Sequence, residues 1–301
     1  MRAEVADALP YVASAIEHLL ASGGKRIRPS ILLLMGNLLD ADSEDLTSMA
    51  AAVELLHTAT LIHDDLIDGA LFRRGASTLN DQWSPATTVL IGDYVFSRAA
   101  NLASRAGSIR AMSLFADALS TIVNGEIGQM FSRRTLIDRD EYYRRIYAKT
   151  ASLFETASSV AAILSEVDEE MIQSAGAFGH NLGMAFQIID DVLDFTGEQA
   201  TVGKPVASDL RQGLITLPAI YYLEANPQDK EVKAILNGSR SDEERVTRLI
   251  EDIRATGAVD RSLDEAHQFM SRSLESLDML PEGLERDALR KLGNYIIDRE
   301  I

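Results

Sequence analysis

The sequence predicts an all-α fold, on three observations. Apolar residues recur at the three- and four-residue spacing of a helix face through most of the chain. No stretch alternates apolar and polar residues with the β-branched enrichment of a half-buried strand. Glycine, proline and capping residues divide the apolar runs into ten or more helices. The 301 residues are read as a single domain, 1–301. With 46% hydrophobic and 25% charged residues they have ample material for a sizeable core.

Residues 1–21 suit a helix through Ala8, Val12, Ile16 and Leu20, broken by Gly23 and Gly24. The break delivers Lys25, Arg26 and Arg28 on a corner, and Pro29 opens a helix over 31–39. Ser43-Glu44-Asp45 is expected to cap a long helix that reaches Asp68. Residues 69–80 form a loop carrying Phe72-Arg73-Arg74-Gly75, and Ser84-Pro85 starts the next helix. Helical patterning continues past Gly107 to Ser132. Asp138 with Glu141 resembles a capping box for the helix that carries Lys149-Thr150. A further helix starts at Asp168 or Glu169. Residues 197–213 read as a loop, rich in glycine and polar residues. Helical signals return after Thr216, with a second capping box at Ser241 and Glu244, a break at Gly257, and Pro281 between the last two helices.

Two of these helices end in acidic clusters, Leu61-Ile-His-Asp-Asp-Leu-Ile-Asp68 and Gln187-Ile-Ile-Asp-Asp-Val-Leu-Asp194. Residues four apart share a helix face, so Asp64 projects with Asp68, and Asp190 with Asp194. Gln187 lies one turn before Asp191, on the same side. Three acids within five residues repel one another, and each cluster is embedded in apolar sequence. A single acidic triplet is more often a solvated face. Two copies of the same spacing point instead to hard divalent cations. Mg2+ takes one or two carboxylates and completes its shell with water and substrate phosphates.

The bulk composition narrows the class. A net charge of −17 opposes a nucleic-acid-binding role. No apolar run of transmembrane length and no secretory leader are visible. The absence of cysteine excludes disulfides and thiolate metal sites and fits a reducing cytoplasm. Against this acidic background the basic clusters stand out as local anion sites: Lys25/Arg28 and Arg73/Arg74, with Lys149 and Lys204 beyond them. Arginine forks suit phosphate oxygens, and lysine supplies a point charge. The inventory suits two diphosphates, one held by metals and cations and one by cations alone, joined to hydrocarbon tails. Arg133-Arg134 and Arg144-Arg145 read as solvated surface, His63 as structural and Trp83 as packing.

With Gly-Gly-Lys-Arg-Ile-Arg-Pro at 23–29, Glu-Leu-Leu-His-Thr-Ala-Thr-Leu-Ile-His-Asp-Asp at 54–65 and Phe-Arg-Arg-Gly at 72–75, the chain resembles the trans-isoprenyl diphosphate synthase (polyprenyl synthetase) family. Lys-Thr at 149–150, the second acidic motif, Gly-Lys-Pro at 203–205, Ser-Asp-Leu at 208–210 and Thr-Leu-Pro at 216–218 extend the likeness. The resemblance implies an isoprenoid-synthase-type helical bundle around a central cavity, with the acidic motifs facing across it, and a homodimer. It assigns Asp64, Asp68 and Asp190 as direct Mg2+ ligands, three ions per site. Asp65, Asp191 and Asp194 become supporting, often water-mediated positions. Arg73, Lys149, Thr150, Gln187 and Lys204 would hold the allylic diphosphate, and Lys25, Arg28, His57 and Arg74 the isopentenyl diphosphate. The implied reaction ionises the allylic diphosphate, adds the isopentenyl double bond to the cation, and passes the proton to released diphosphate. Two departures are visible: Leu214 stands where the family often has lysine, and the lead before Gly23 is shorter than in many relatives.

Product length should be set by the helix before Asp64. Short-chain members of the family carry bulky aromatics four or five residues before that aspartate; here the positions hold Thr60 and Ala59. Five residues of helix rise about 7.5 Å, so an aromatic there would stop the tail early, whereas Ala and Thr leave the passage open, as in the long-chain synthases of roughly C30–C50 that the pair resembles. Val53, Leu55 and Leu56 are the next large side chains on this helix, and Met130 and Phe131 are candidates for a deeper floor. A farnesyl or geranylgeranyl synthase is the alternative. A terpene cyclase would need no second anion site, and a non-catalytic subunit of a heteromeric synthase would be expected to lose an acidic motif.

Overall fold

The structure, a computed structural model, describes residues 9–21, 23–73, 75–132, 138–196, 206–236 and 243–298. It is all-α apart from one small hairpin. The chain forms two compact units, Met1–Asp117 with Ala157–Asp168, and Ala118–Thr156 with Glu169–Ile301.

The first unit contains helices α1 (Pro10–Ala21), α2 (Ile27–Leu38), α3 (Ser43–Ile67), a short α4 (Leu79–Gln82) and α5 (Pro85–Arg105). α2 starts four residues earlier than the proline suggests, because proline lacks only an amide that the first turn leaves unused anyway. Its N-cap is Arg26, at φ 50, a left-handed conformation that costs an L-residue. An ion pair to the buried carboxylate of Glu54 and a hydrogen bond from Ser30 Oγ to the Arg26 carbonyl (2.8 Å) hold it there. The cap of α3 is Asp42 rather than Ser43; its carboxylate accepts from the Glu44 and Asp45 amides at 2.8 and 3.2 Å. Leu46, Met49, Val53 and Leu56 form the buried stripe of α3. α3 packs against both α2 and α5. Residues 69–80, expected as a plain loop, contain the antiparallel pair β1 (Phe72–Arg73) and β2 (Ala76–Ser77), turned through Gly75 at φ 77. Two residues per strand are too few to leave a period-two signature.

α6 (Ile109–Ser132) follows, then α7 (Arg139–Ile146), which Asp138 caps through the Glu141 amide at 2.8 Å, as expected. A single π-helical turn, Tyr147–Ala151, joins α7 to α8 (Ser152–Leu164); the sequence gave no sign of it. The 28-residue α9 (Glu169–Thr196) carries Phe178, Leu182, Ile188, Ile189, Val192 and Phe195 into the core of the second unit. A short α10 (Ser208–Arg211), α11 (Leu217–Ala225), α12 (Lys230–Leu236), α13 (Glu243–Ala255), α14 (Ala258–Asp278) and α15 (Leu284–Ile297) complete it. α14 packs along α9, tied by a hydrogen bond from Ser273 Oγ to the Phe178 carbonyl at 2.9 Å. Arg254 reaches from α13 to the Phe195 carbonyl, near the end of α9. Ser241, one half of the second capping box, lies outside the described residues.

Helix α9 meets the π turn at Gly183. A Cβ there would lie 2.5 Å from the Ala151 Cα and 2.9 Å from its Cβ. Alanine at a helix interior ordinarily gains up to about 1 kcal/mol over glycine. Overpacking a core costs about 1–3 kcal/mol, and here the obstacle is backbone, which cannot rotate away. The steric effect should win. Gly183→Ala is expected to lower the midpoint of thermal unfolding by several degrees; an unchanged or raised midpoint would show that α9 and the π turn separate easily.

Candidate active site

The first acidic motif forms the end of α3. Asp64 is half-buried, Asp65 buried, and Asp68 an exposed C-cap whose amide bonds to the Asp64 carbonyl at 2.8 Å. Asp65 is only 6% exposed, and its charge is met by Arg73 of β1, whose Nε donates to Oδ1 at 2.7 Å. The hairpin therefore serves a purpose the sequence did not reveal: it returns an arginine to the acidic end of α3. Its other strand is held by a contact of 2.7 Å between His18 Nε2 and the Ser77 carbonyl. His63 lies across Gly92 of α5, 3.3 Å from the Val89 carbonyl and 3.6 Å from Asp93, which agrees with a structural role. A Cβ on Gly92 would come within 2.2 Å of its ring. Trp83 packs edge-on to Tyr11 at 6.4 Å.

Lys25 is exposed between Gly24 and the strained Arg26, Arg28 lies on the first turn of α2, and His57 is half-buried on α3 two turns before Asp64. Ala59 is buried, and Thr60 turns its hydroxyl back to the His57 carbonyl at 2.9 Å. Arg74 and Lys204 lie outside the described residues, as do Arg133 and Arg134.

The second motif, at the end of α9, is built differently. Asp190 is half-buried. Asp191 is 4% exposed and accepts from Tyr142 Oη on Oδ2 (2.8 Å) and from Gln187 Nε2 on Oδ1 (2.9 Å). Gln187 in turn accepts from Thr150 Oγ1 at 2.6 Å. Burial pushes the Asp191 carboxyl up, and the charge of Asp209 adds to it; the bonds from Gln187 and Tyr142 and the charge of Arg145 oppose them, leaving it at about 7. Burial and the Asp191 charge hold the Tyr142 phenol far above its ordinary range, so the proton between them belongs to the phenol. Asp194 accepts from the Ser208 and Asp209 amides, each at 3.1 Å, while its own carbonyl accepts from Ala207 at 2.7 Å. These bonds hold Ala207 at φ 53 and fix the start of α10.

The π turn divides the Lys-Thr pair. Thr150 is buried against Gln187, while Lys149 points outward, with its Nζ 3.2 Å from Glu126 of α6. Arg145, expected as solvated surface, instead donates to the Ile215 carbonyl and lies 5.6 Å from the Tyr142 ring centre; only Arg144 is exposed, paired with Glu141 at 2.7 Å. Met130 and Phe131 are 54% and 85% exposed, so neither floors a cavity buried within the described chain.

The sequence reading missed Tyr142, Glu126 and Glu54. Tyr142 left one trace: it sits with Ile146 on the buried side of an otherwise charged helix, and a buried phenol must find a partner.

Among the described residues no three His, Asp or Glu side chains converge into a ready-made metal cage. Mg2+ needs only one or two carboxylates when phosphate oxygens supply the rest. Asp64, Asp68 and Asp190 are oxygen donors with solvent access, as such a metal requires.

The family model for polyprenyl synthetase matches residues 9–253. A heptaprenyl diphosphate synthase component 2 from Bacillus subtilis is 35% identical over 292 residues, 97% of this chain and 83% of the relative. A short chain isoprenyl diphosphate synthase from Methanothermobacter thermautotrophicus is 34% identical over 307 residues, 100% of this chain and 94% of the relative. The crystal structure of a decaprenyl diphosphate synthase from Rhodobacter capsulatus superimposes with a TM-score of 0.94 at 31% identity, covering 99% of this chain and 93% of that one. A family match across most of the chain, and relatives above 30% identity along nearly all of it, show that this chain belongs to the polyprenyl synthetase family and is a prenyltransferase.

Proposed function

We infer that the enzyme adds isopentenyl diphosphate units head to tail to an allylic diphosphate, as one polyprenyl synthetase domain, and that its product is a long-chain all-trans polyprenyl diphosphate. The small pair Ala59-Thr60 carries the chain-length reading. Ala59 is buried on α3, and Thr60 satisfies its hydroxyl within its own helix, so neither side chain projects bulk ahead of Asp64. The relatives span both heptaprenyl and short-chain enzymes, so likeness alone does not choose between them.

In this reading Arg73, Lys149, Thr150, Gln187 and Lys204 hold the allylic diphosphate, and Lys25, Arg28, His57 and Arg74 the isopentenyl diphosphate. Asp64, Asp68, Asp190 and Asp194 serve the metal, with Asp194 acting through water because its carboxylate already accepts two backbone amides. Mg2+ bound with the substrate supplies neutralisation of the charge that develops on the leaving diphosphate. The allylic C–O bond breaks, a C–C bond forms to the isopentenyl double bond, and the released diphosphate takes the proton.

Purified protein with Mg2+, farnesyl diphosphate and excess isopentenyl diphosphate is expected to yield a main product of roughly C30 or longer by mass, and none after chelation with EDTA. Ala59→Phe places an aromatic about one helical turn, some 5–8 Å, before Asp64 and is expected to cut the product to C20 or below. Wild-type growth that stops at C20 would refute the open passage.

The enzyme also needs a second subunit in this reading. Val123, Ile127, Met130 and Phe131 form an exposed apolar stripe on one face of α6. A run of large apolar side chains on one helix face marks a protein contact. A homodimer is the reading preferred here. One relative is named as component 2 of its synthase, which makes a different subunit the alternative. Light scattering is expected to give twice the 32.9 kDa chain mass, and Ile127→Lys to give the monomer. A wild-type monomer that elongates only when a second protein is added would favour the heteromer.

A further inference from the structure

We propose that Tyr142 is a positioning residue for the allylic half of the reaction, acting through Asp191. The inference rests on the function proposed above. Tyr142 lies on α7, outside both acidic motifs, and is fully buried. It ends a chain of hydrogen bonds that runs Thr150 to Gln187 to Asp191, with Tyr142 donating to the far oxygen of that carboxylate. Each link fixes the next. A threonine hydroxyl given to Gln187 Oε1 forces Nε2 toward Asp191, because a side-chain amide has one acceptor end and one donor end. Asp191 then offers one oxygen to Gln187 and the other to Tyr142. Both donors that touch this carboxylate are neutral, and the Arg145 charge acts on it without a hydrogen bond in this chain.

The chain matters because of what hangs from it. Thr150 and Gln187 are assigned to the allylic diphosphate, Lys149 precedes Thr150 on the π turn, and Asp190 precedes Asp191 on α9. Without the phenol hydroxyl, Asp191 loses a buried donor and is free to rotate, and Gln187 loses its fixed partner. Arg145, one turn along α7, ties the same helix to the Ile215 carbonyl and keeps Tyr142 facing α9. The residues assigned to isopentenyl diphosphate, Lys25, Arg28 and His57, belong to the other compact unit and take no part in this chain. Tyr142 should therefore affect one substrate and not the other.

The test is Tyr142→Phe, with KM measured separately for the two substrates. Binding of a non-reactive thiolo analogue of the allylic diphosphate, with Mg2+, is followed by calorimetry. A hydrogen bond to a charged group corresponds to roughly a ten-fold effect, so KM for the primer and Kd for the analogue should each rise by about that factor. KM for isopentenyl diphosphate should stay within about two-fold. Asp191→Asn keeps the shape of the side chain and should show the same split, with the double variant no worse than Asp191→Asn alone. Equal changes in both KM values, no change in either, or additive effects in the double variant would overturn the proposal. Should Tyr142→Phe fail to fold, Asp191→Asn decides alone, and an unchanged primer KM refutes the role. A wild type that binds the analogue but does not elongate would count against the proposed function, while the binding data would still judge Tyr142.

Discussion

Each acidic motif sets the same physical problem. Three carboxylates lie within five residues at the end of an apolar helix, and the helical repeat turns the middle one into the protein. Asp65 is 6% and Asp191 4% exposed. A buried carboxylate is costly unless it is fully hydrogen-bonded or paired. The local architecture around both motifs follows from meeting that cost, because only with the middle aspartate fixed do its neighbours keep a constant direction.

The two solutions differ. Asp65 is met by a charge: the hairpin brings Arg73 back to α3, and the guanidinium remains partly exposed. Asp191 is met by neutral donors, Tyr142 and Gln187, deep in the second unit. Charge pairing ties Asp65 to Arg73, the residue assigned to the allylic diphosphate in the proposed function. Neutral pairing leaves Asp191 with a carboxyl raised by burial and holds Gln187 and Thr150 in one orientation. One motif thus shares its anchor with a residue assigned to substrate, and the other is locked from behind.

Close backbone approach is the second device. Gly183 admits the π turn against α9, and Gly125 leaves room for Ala148, whose Cβ would otherwise meet a Cβ at 2.5 Å. The inserted residue of the π turn sends Thr150 inward and Lys149 outward from adjacent positions. π turns of this kind occur often at functional sites, since they redirect side chains without ending the helix.

The sequence by itself determined the helical class, most helix boundaries, the two acidic motifs and the chemical class of the ligands. All of these depend on local periodicity, capping and donor type, which neighbouring residues specify. The start of α2 lies four residues before the expected one and the cap of α3 one residue before, because first-turn amides need no partner and several nearby side chains could cap. Tertiary structure decided the rest. The hairpin at Phe72, the π turn, the outward face of Met130 and Phe131, and the inward turn of Arg145 each depend on atoms distant along the chain. So does the pairing of Asp191 with Tyr142, 49 residues before it. A hydrogen bond between such distant residues leaves no spacing rule in the sequence, since the intervening chain sets its geometry only once it has packed.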